Sequence, residues 1–166
     1  NPAVDHNIIV DNFKTGKVIR AIHSTVTAAG KGINVARTLT CLGQNATAFC
    51  LAGKQEAHHY KSLRSTRFKL HMVPADGTTR SNITISDAQG KLAAHLQTQG
   101  FSVGEEQLQQ ITRDLENQAG EGDVLVISGS TPEGVPAGYY EQLIRNCREK
   151  GCSIIFDSSG TYFKNG

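Results

Sequence analysis

Gly30, Lys31 and Gly32 stand immediately before a stretch, Ile33 to Leu42, that reads as a helix. Paired glycines let a backbone approach a ligand closely. A helix start gathers free N–H groups at the positive end of the dipole. A Walker loop requires G-x-x-x-x-G-K-[ST], but Lys31 is followed by Gly32 and Ile33, with no Ser or Thr placed for magnesium. A dinucleotide fingerprint requires a third glycine where Val35 stands. Both standard phosphate loops therefore fail. Asn34 remains, in the first helical turn, with an amide that offers donors and an acceptor. This set suits a ligand rich in hydroxyls, such as a sugar. A tight turn that merely starts a helix is the competing reading.

Other candidates are scattered along the chain. Asp5 follows Pro2 at a strand-end turn, where its carboxylate can accept hydrogen bonds from two sugar hydroxyls or stabilise its own turn. Ser130 comes after an apolar run, at the carboxyl edge where α/β folds bind ligands, and equally fits a helix-entry cap before Pro132. Asp157 also ends a strand, placed to arrange a metal-bound water or to cap the "SSG" that follows. Lys17 and Arg80 read, by themselves, as solvated surface charge. His58 and His59 are adjacent and point to different helix faces. The other histidines are far apart in sequence, and none gives a metal-ligand spacing.

The elements that must position these residues alternate in type. Extended segments are expected at Asn7–Val10 and Val18–Val26, and the helix after Gly32 stops at Gly43. Ala46–Leu51 and Leu70–Val73 read as strands, with a helix over Glu56–Leu63 between them. "SNITIS" alternates polar and apolar, and Lys91–Leu96 follows after "DAQG", a hairpin signal. Gly104–Gln118 and Pro136–Lys150 read as helices. "DVLVIS" and "CSIIFD" are continuous apolar runs, the mark of strands buried on both faces. Strand–helix–strand order argues for α/β with a parallel sheet of about three strands. The alternating strands near 7–28 and 81–97 do not fit that core and form a separate, one-sided sheet.

Composition bounds the function classes. The chain has 166 residues, 38% hydrophobic and 19% charged, with a net charge of +2. That describes one ordinary domain, and the charge is too weak and scattered for nucleic acid or an anionic membrane. No run approaches the roughly eighteen apolar residues of a membrane span. The start, "NPAVDHNIIVDN", lacks the charged stretch and apolar block of a signal peptide. Four cysteines without a C-x-x-C predict reduced, mostly buried thiols in a cytoplasmic protein. The chain opens on a turn and stops just after a buried strand, so it is expected to be part of a larger fold.

Five collinear segments resemble the ribokinase-like sugar kinase family, in its phosphofructokinase B branch. "AGKGINVARTLTCLG", with Gly53 after nine intervening residues, resembles the first signature at the glycines, Asn34, Ala36, Gly43 and Gly53. "NPAVD" resembles the branch's Asn-Pro-Ala-Leu-Asp start. "TTRSNITI" resembles its Thr-Arg-x-Asn segment, "VISGSTPEGVP" its Ser-Gly-Ser-Leu-Pro-x-Gly segment, and "IIFDSSG" its Asp-[Ser/Thr]-Ser-Gly strand end. The segments look most like kinases of phosphorylated ketohexoses: 1-phosphofructokinase, tagatose-6-phosphate kinase or 6-phosphofructokinase.

The resemblance implies a doubly wound, mostly parallel α/β domain with a small β-sheet lid, here incomplete. Residues 1–166 would be the N-terminal part, the lid strands lying within about 7–28 and 81–97 and the C-terminal ATP-binding half being absent. It implies ATP and Mg²⁺ as phosphoryl donor and metal, a sugar phosphate as acceptor, and a homodimer formed through the lid. It places Asp5, Asn34 and Asn82 on the sugar, with Gly30, Lys31 and Gly32 beside it, and it puts Arg80, Lys17 and Ser130 on the phosphate. Such a phosphate, carrying nearly two charges, calls for a guanidinium, an ammonium and a hydroxyl. Asp157 keeps its two readings.

The family's general base belongs to a later Gly-Ala-Gly-Asp segment that this sequence does not contain. A base contributes about 10²–10⁴-fold and an anion-hole donor about 10²–10³-fold, so this chain alone is expected to be inactive. Thr131 replaces the usual Leu, and "LQTQGF" departs from the family's Pro-Gly-Pro-like turn. Two rivals remain: a non-catalytic sugar-phosphate binding module or inactive fragment, and a ribose or nucleoside kinase. The continuation of the reading frame discriminates the first. The paired cations Lys17 and Arg80 count against the second, because its substrates lack the phosphate.

Overall fold

A computed structural model describes residues 1–61, 63 and 68–157. Its elements run β1 (Ala3–Val10), β2 (Ala21–Ala29), α1 (Lys31–Cys41), β3 (Thr47–Gly53), α2 (Ala57–Lys61), β4 (Lys69–Ala75), β5 (Ser81–Asp87), β6 (Leu92–Gln97), α3 (Glu105–Gln118), β7 (Val124–Ser128), α4 (Tyr139–Glu149) and β8 (Ser153–Asp157).

The alternating segments form one four-stranded sheet in the order β2-β1-β5-β6. β1 pairs antiparallel with β2 and parallel with β5, and β5 and β6 form the expected hairpin. Register sorts side chains into two faces, since paired residues share a face and successive residues alternate. One row reads Thr27, Asp5, Asn82, Gln97 across the four strands. The row on the opposite face reads Val26, His6, Ile83, Leu96.

Outside this sheet, the parallel strands fall into two pairs, β3-β4 and β7-β8, rather than one sheet of about three. α1 packs against both β3 and β7 and ties the pairs together. The expectation that the apolar runs are buried on both faces is corrected as well. Ile154 and Phe156 turn inward, toward the α4 cluster and the Tyr140 ring. Ile155 turns the other way and is 54% exposed, and Val124 is 57% exposed. A lone strand pair offers two faces, and α4 packs against one of them.

The main core joins the root of the four-stranded sheet to α1, β3 and α2 through Val4, Ala28, Ile33, Ala52 and Tyr60. Tyr60, fully buried, donates its hydroxyl to the Ala3 carbonyl at 2.6 Å. Burial pushes that phenol well above its ordinary pKa, so it stays a donor. α1 closes as its sequence requires, with Gly43 at φ +81 and the Gln44 N–H bonded to the Leu39 carbonyl at 2.9 Å. α4 begins at Tyr139 rather than Pro136, because Gly138 is left-handed at φ +82 and breaks the turn before it. All four cysteines are free thiols; Cys41 is exposed, and Cys50, Cys147 and Cys152 are buried.

Candidate functional site

The start of α1, the ends of β7 and β8, and the root of β1 converge. Gly30 adopts φ +143, and a Cβ there would meet the Pro2 Cα at 3.2 Å, so a side chain would separate α1 from the β1 root. The Asn34 N–H bonds to the Gly30 carbonyl at 2.9 Å, and its side-chain Oδ1 accepts from Arg37 at 3.4 Å. Gly32 lies beside Ser128, whose Oγ would be 3.7 Å from a Cβ at position 32. That Oγ is buried and has no hydrogen-bond partner among the described residues. Gly129, left-handed at φ +102, lets β7 turn past the Lys31 side chain.

Lys31 Nζ donates to Asp157 Oδ2 at 3.0 Å, with both side chains more than half exposed. The ion pair places the end of β8 against the α1 start. A pair this exposed contributes about 0–1 kcal/mol, so it orients rather than stabilises. Asp157 therefore faces a cation. Among the described residues no group of three or more His, Cys, Asp or Glu could hold a metal. The described donors around Asp157 do not fit a magnesium site.

Arg80 and Ser130 meet through the first two residues. Asn1 Nδ2 donates to Ser130 Oγ at 3.0 Å. Arg80 donates from Nε to the Pro2 carbonyl at 3.3 Å and from its terminal nitrogen to the Asn1 carbonyl at 3.4 Å. These long, neutral contacts leave guanidinium N–H groups for an anion. The backbone behind Arg80 is fixed more tightly. Thr79 is buried, its hydroxyl accepting from the Gly53 N–H at 2.8 Å and its N–H bonding Glu56 Oε2 at 2.7 Å. The Arg80 carbonyl accepts from the Val4 N–H at 2.9 Å, locking it to β1.

On the four-stranded sheet, Asn82 Nδ2 donates to Asp5 Oδ1 at 2.8 Å, and Gln97 Nε2 donates to Asn82 Oδ1 at 3.2 Å. The second Asp5 oxygen keeps its lone pairs available. Lys17 is placed elsewhere, in the exposed turn between β1 and β2, at the opposite end of β1 from Asp5. The residues after Asp157 in the "DSSG" segment lie outside the described ones.

The site residues thus collect into two patches with different chemistry. Around Arg80, Ser130 and Lys31 are cations and a hydroxyl. Around Asp5 and Asn82 are a carboxylate and an amide. The family model of the pfkB family carbohydrate kinases matches residues 2–165. The chain belongs to the pfkB family of carbohydrate kinases. It is 32% identical over 161 residues to a 1-phosphofructokinase from Xanthomonas campestris pv. campestris, covering 96% of this chain and 51% of that protein. A tagatose-6-phosphate kinase from Staphylococcus epidermidis is 32% identical with the same coverage. Phosphofructokinase-2 from Escherichia coli, solved in complex with fructose-6-phosphate, superposes with a TM-score of 0.88 at 30% identity, over 99% of this chain and 54% of that one. This pfkB chain therefore spans about half the length of the relatives it matches.

Sequence reasoning did not single out Asn1, Glu56, Thr79 or Gln97. Asn1 and Thr79 lay within segments that carried the family resemblance. Glu56 sits in a polar stretch without a distinguishing pattern, Gln97 lies in the "LQTQGF" segment noted only for its departure from the family's turn, and only the fold brings them to the site.

Proposed function

We propose that the intact protein transfers a phosphoryl group from ATP to a phosphorylated ketohexose, and that this chain carries the sugar-phosphate site. One observation carries the reading: Arg80 and Ser130 are joined through Asn1 at the root of the strand that bears Asp5. A ligand with a dianionic end and a hydroxyl-rich body suits both patches at once. Arg80 and Ser130 would hold the phosphate, with Lys31 beside them. Asp5 would accept from sugar hydroxyls, its position fixed by Asn82. The α1 start, with its free N–H groups and Gly32, allows close approach of the ligand's backbone-facing side. In such kinases ATP supplies the phosphoryl group and magnesium neutralises its charge. The residues of this chain bind and orient the acceptor.

A second copy of the chain is the proposed cover for the outer face of the four-stranded sheet. There Val26 is 43% exposed and Leu96 50%, in the row that also holds Ile83. One of the related solved structures is a tetrameric inhibited form of the E. coli phosphofructokinase-2.

Calorimetry of this chain, folded by circular dichroism, against fructose 6-phosphate, fructose 1-phosphate and tagatose 6-phosphate tests the reading, with fructose as control. Binding that requires the phosphate supports it. Equal binding of fructose, or none by the folded chain, removes it.

A further inference from the structure

Gln97 ends β6 in the row Thr27, Asp5, Asn82, Gln97, which crosses all four strands. Hydrogen-bond polarity along this row is fixed from one end. An ionised carboxylate only accepts, so Asp5 requires the NH₂ of Asn82. The Asn82 carbonyl oxygen must then face away from Asp5, toward β6. It finds a donor there: Gln97 Nε2 at 3.2 Å, while Asn82 Nδ2 reaches Asp5 Oδ1 at 2.8 Å. The amide of Asn82 has two planar orientations, and Gln97 favours the one that Asp5 needs.

We infer that Gln97 is a positioning residue for the sugar end of the site. It does so by setting the Asn82 amide, which in turn leaves one Asp5 oxygen presented to substrate. The inference rests on the sugar-phosphate reading. No charge or burial marks Gln97; it is exposed, and its role follows from register and from the one-way chemistry of the carboxylate. A glutamate in its place has the same shape and only acceptors. Two carboxylates would then compete for a single Asn82 NH₂, whereas a leucine would leave the Asn82 oxygen to water.

The experiment uses the full chain with Gln97→Leu and Gln97→Glu, each compared with wild type in two ways. Side-chain amide resonances of Asn82, followed by ¹⁵N NMR without ligand, report its hydrogen bonding directly. Both variants are expected to shift them, Gln97→Glu more. Calorimetry then compares fructose 6-phosphate with inorganic phosphate, which engages only the Arg80 patch. Loss of one hydrogen bond predicts affinity for the sugar phosphate lower by about fivefold to tenfold in Gln97→Leu. Inorganic phosphate binding is expected to be unchanged. Unmoved Asn82 resonances overturn the inference, whatever binds. Equal weakening of both ligands overturns it too, since that is a structural defect. If wild type binds no phosphosugar, the sugar-phosphate reading fails and takes with it the role at substrate. The resonances then decide separately whether Gln97 sets the amide.

Discussion

Glu56 Oε2 accepts the backbone N–H of buried Thr79 at 2.7 Å, tying the residue before α2 to the one before Arg80. The same carboxylate oxygen would lie 2.8 Å from a Cβ at Gly53. Three backbone segments therefore share one small polar knot, and Arg80 leaves from it. Glu56→Ala strands the Thr79 N–H, which costs about 1–3 kcal/mol. Urea denaturation of the variant should show a loss in that range, whereas Glu56→Gln, which keeps an acceptor, should lose less. Equal stability of all three proteins would remove the knot from the account.

Gly53 tolerates no side chain. A Cβ there would sit 2.6 Å from both the Gly77 carbonyl oxygen and the Thr79 nitrogen, and backbone atoms cannot swing aside as side chains do. Gly53→Ala is expected to destabilise by about 3 kcal/mol or more. A denaturation midpoint close to wild type would show that the β3 end yields easily.

On the proposed reading, Arg80 holds the phosphate of the acceptor. Charge-assisted hydrogen bonds contribute about 1.5–3 kcal/mol each, so Arg80→Ala should weaken phosphosugar binding by about 10- to 100-fold. Arg80→Lys should recover little, because a point charge does not replace a planar fork. Calorimetry with both variants checks this. Unchanged affinity in Arg80→Ala would assign the phosphate elsewhere.

Hydrogen bonds from Gln110 and His71 hold the Asp114 carboxyl below its ordinary value of 3.8. A carboxyl with a lower pKa in the folded chain stabilises that chain above the unfolded value. The contribution disappears as pH falls through the folded value. The stability gap between wild type and Asp114→Asn should therefore be present at pH 7 and narrow below about pH 4. A gap constant between pH 7 and 3 would contradict the assignment.

Thiol chemistry offers a direct check of the core. Burial pushes the Cys50 thiol up to about 12, and burial also raises Cys147. Reactivity follows the thiolate and its access. Maleimide labelling of the native chain should modify Cys41 alone, and all four cysteines after denaturation. Labelling of Cys50 in the native state would contradict the packing of β3.

The sequence made some of this legible for identifiable reasons. Period-two alternation in "SNITIS" and the turn in "DAQG" are local signals, and β5-β6 formed where they pointed. Gly43 ended its helix for a local reason, its left-handed φ. The parallel pairing of β1 with β5 was not visible, because the partners are more than seventy residues apart and no turn chemistry links them. The exposure of Ile155 was also hidden: an apolar run states what a strand can bury, not what lies against it. Among site residues, Gly30, Asn34, Arg80 and Ser130 stood in family-like motifs. Glu56 meets the Thr79 backbone N–H and Gln97 the Asn82 side chain, and such contacts leave no spacing in one sequence.

The Tyr60 hydroxyl pins the four-stranded sheet at Ala3, two residues from Asp5 and seven from Val10. At about 3.3 Å per residue, these positions lie about 7 Å and 23 Å from the pin. A 10° tilt of the sheet about that point would carry Asp5 by about 1 Å and the far end by about 4 Å. The sheet is thus a lever with its recognition groups beside the fulcrum. Its outer end sweeps through several ångströms on such a tilt, while the Asp5 carboxylate stays within about 1 Å of its place and turns only with the sheet.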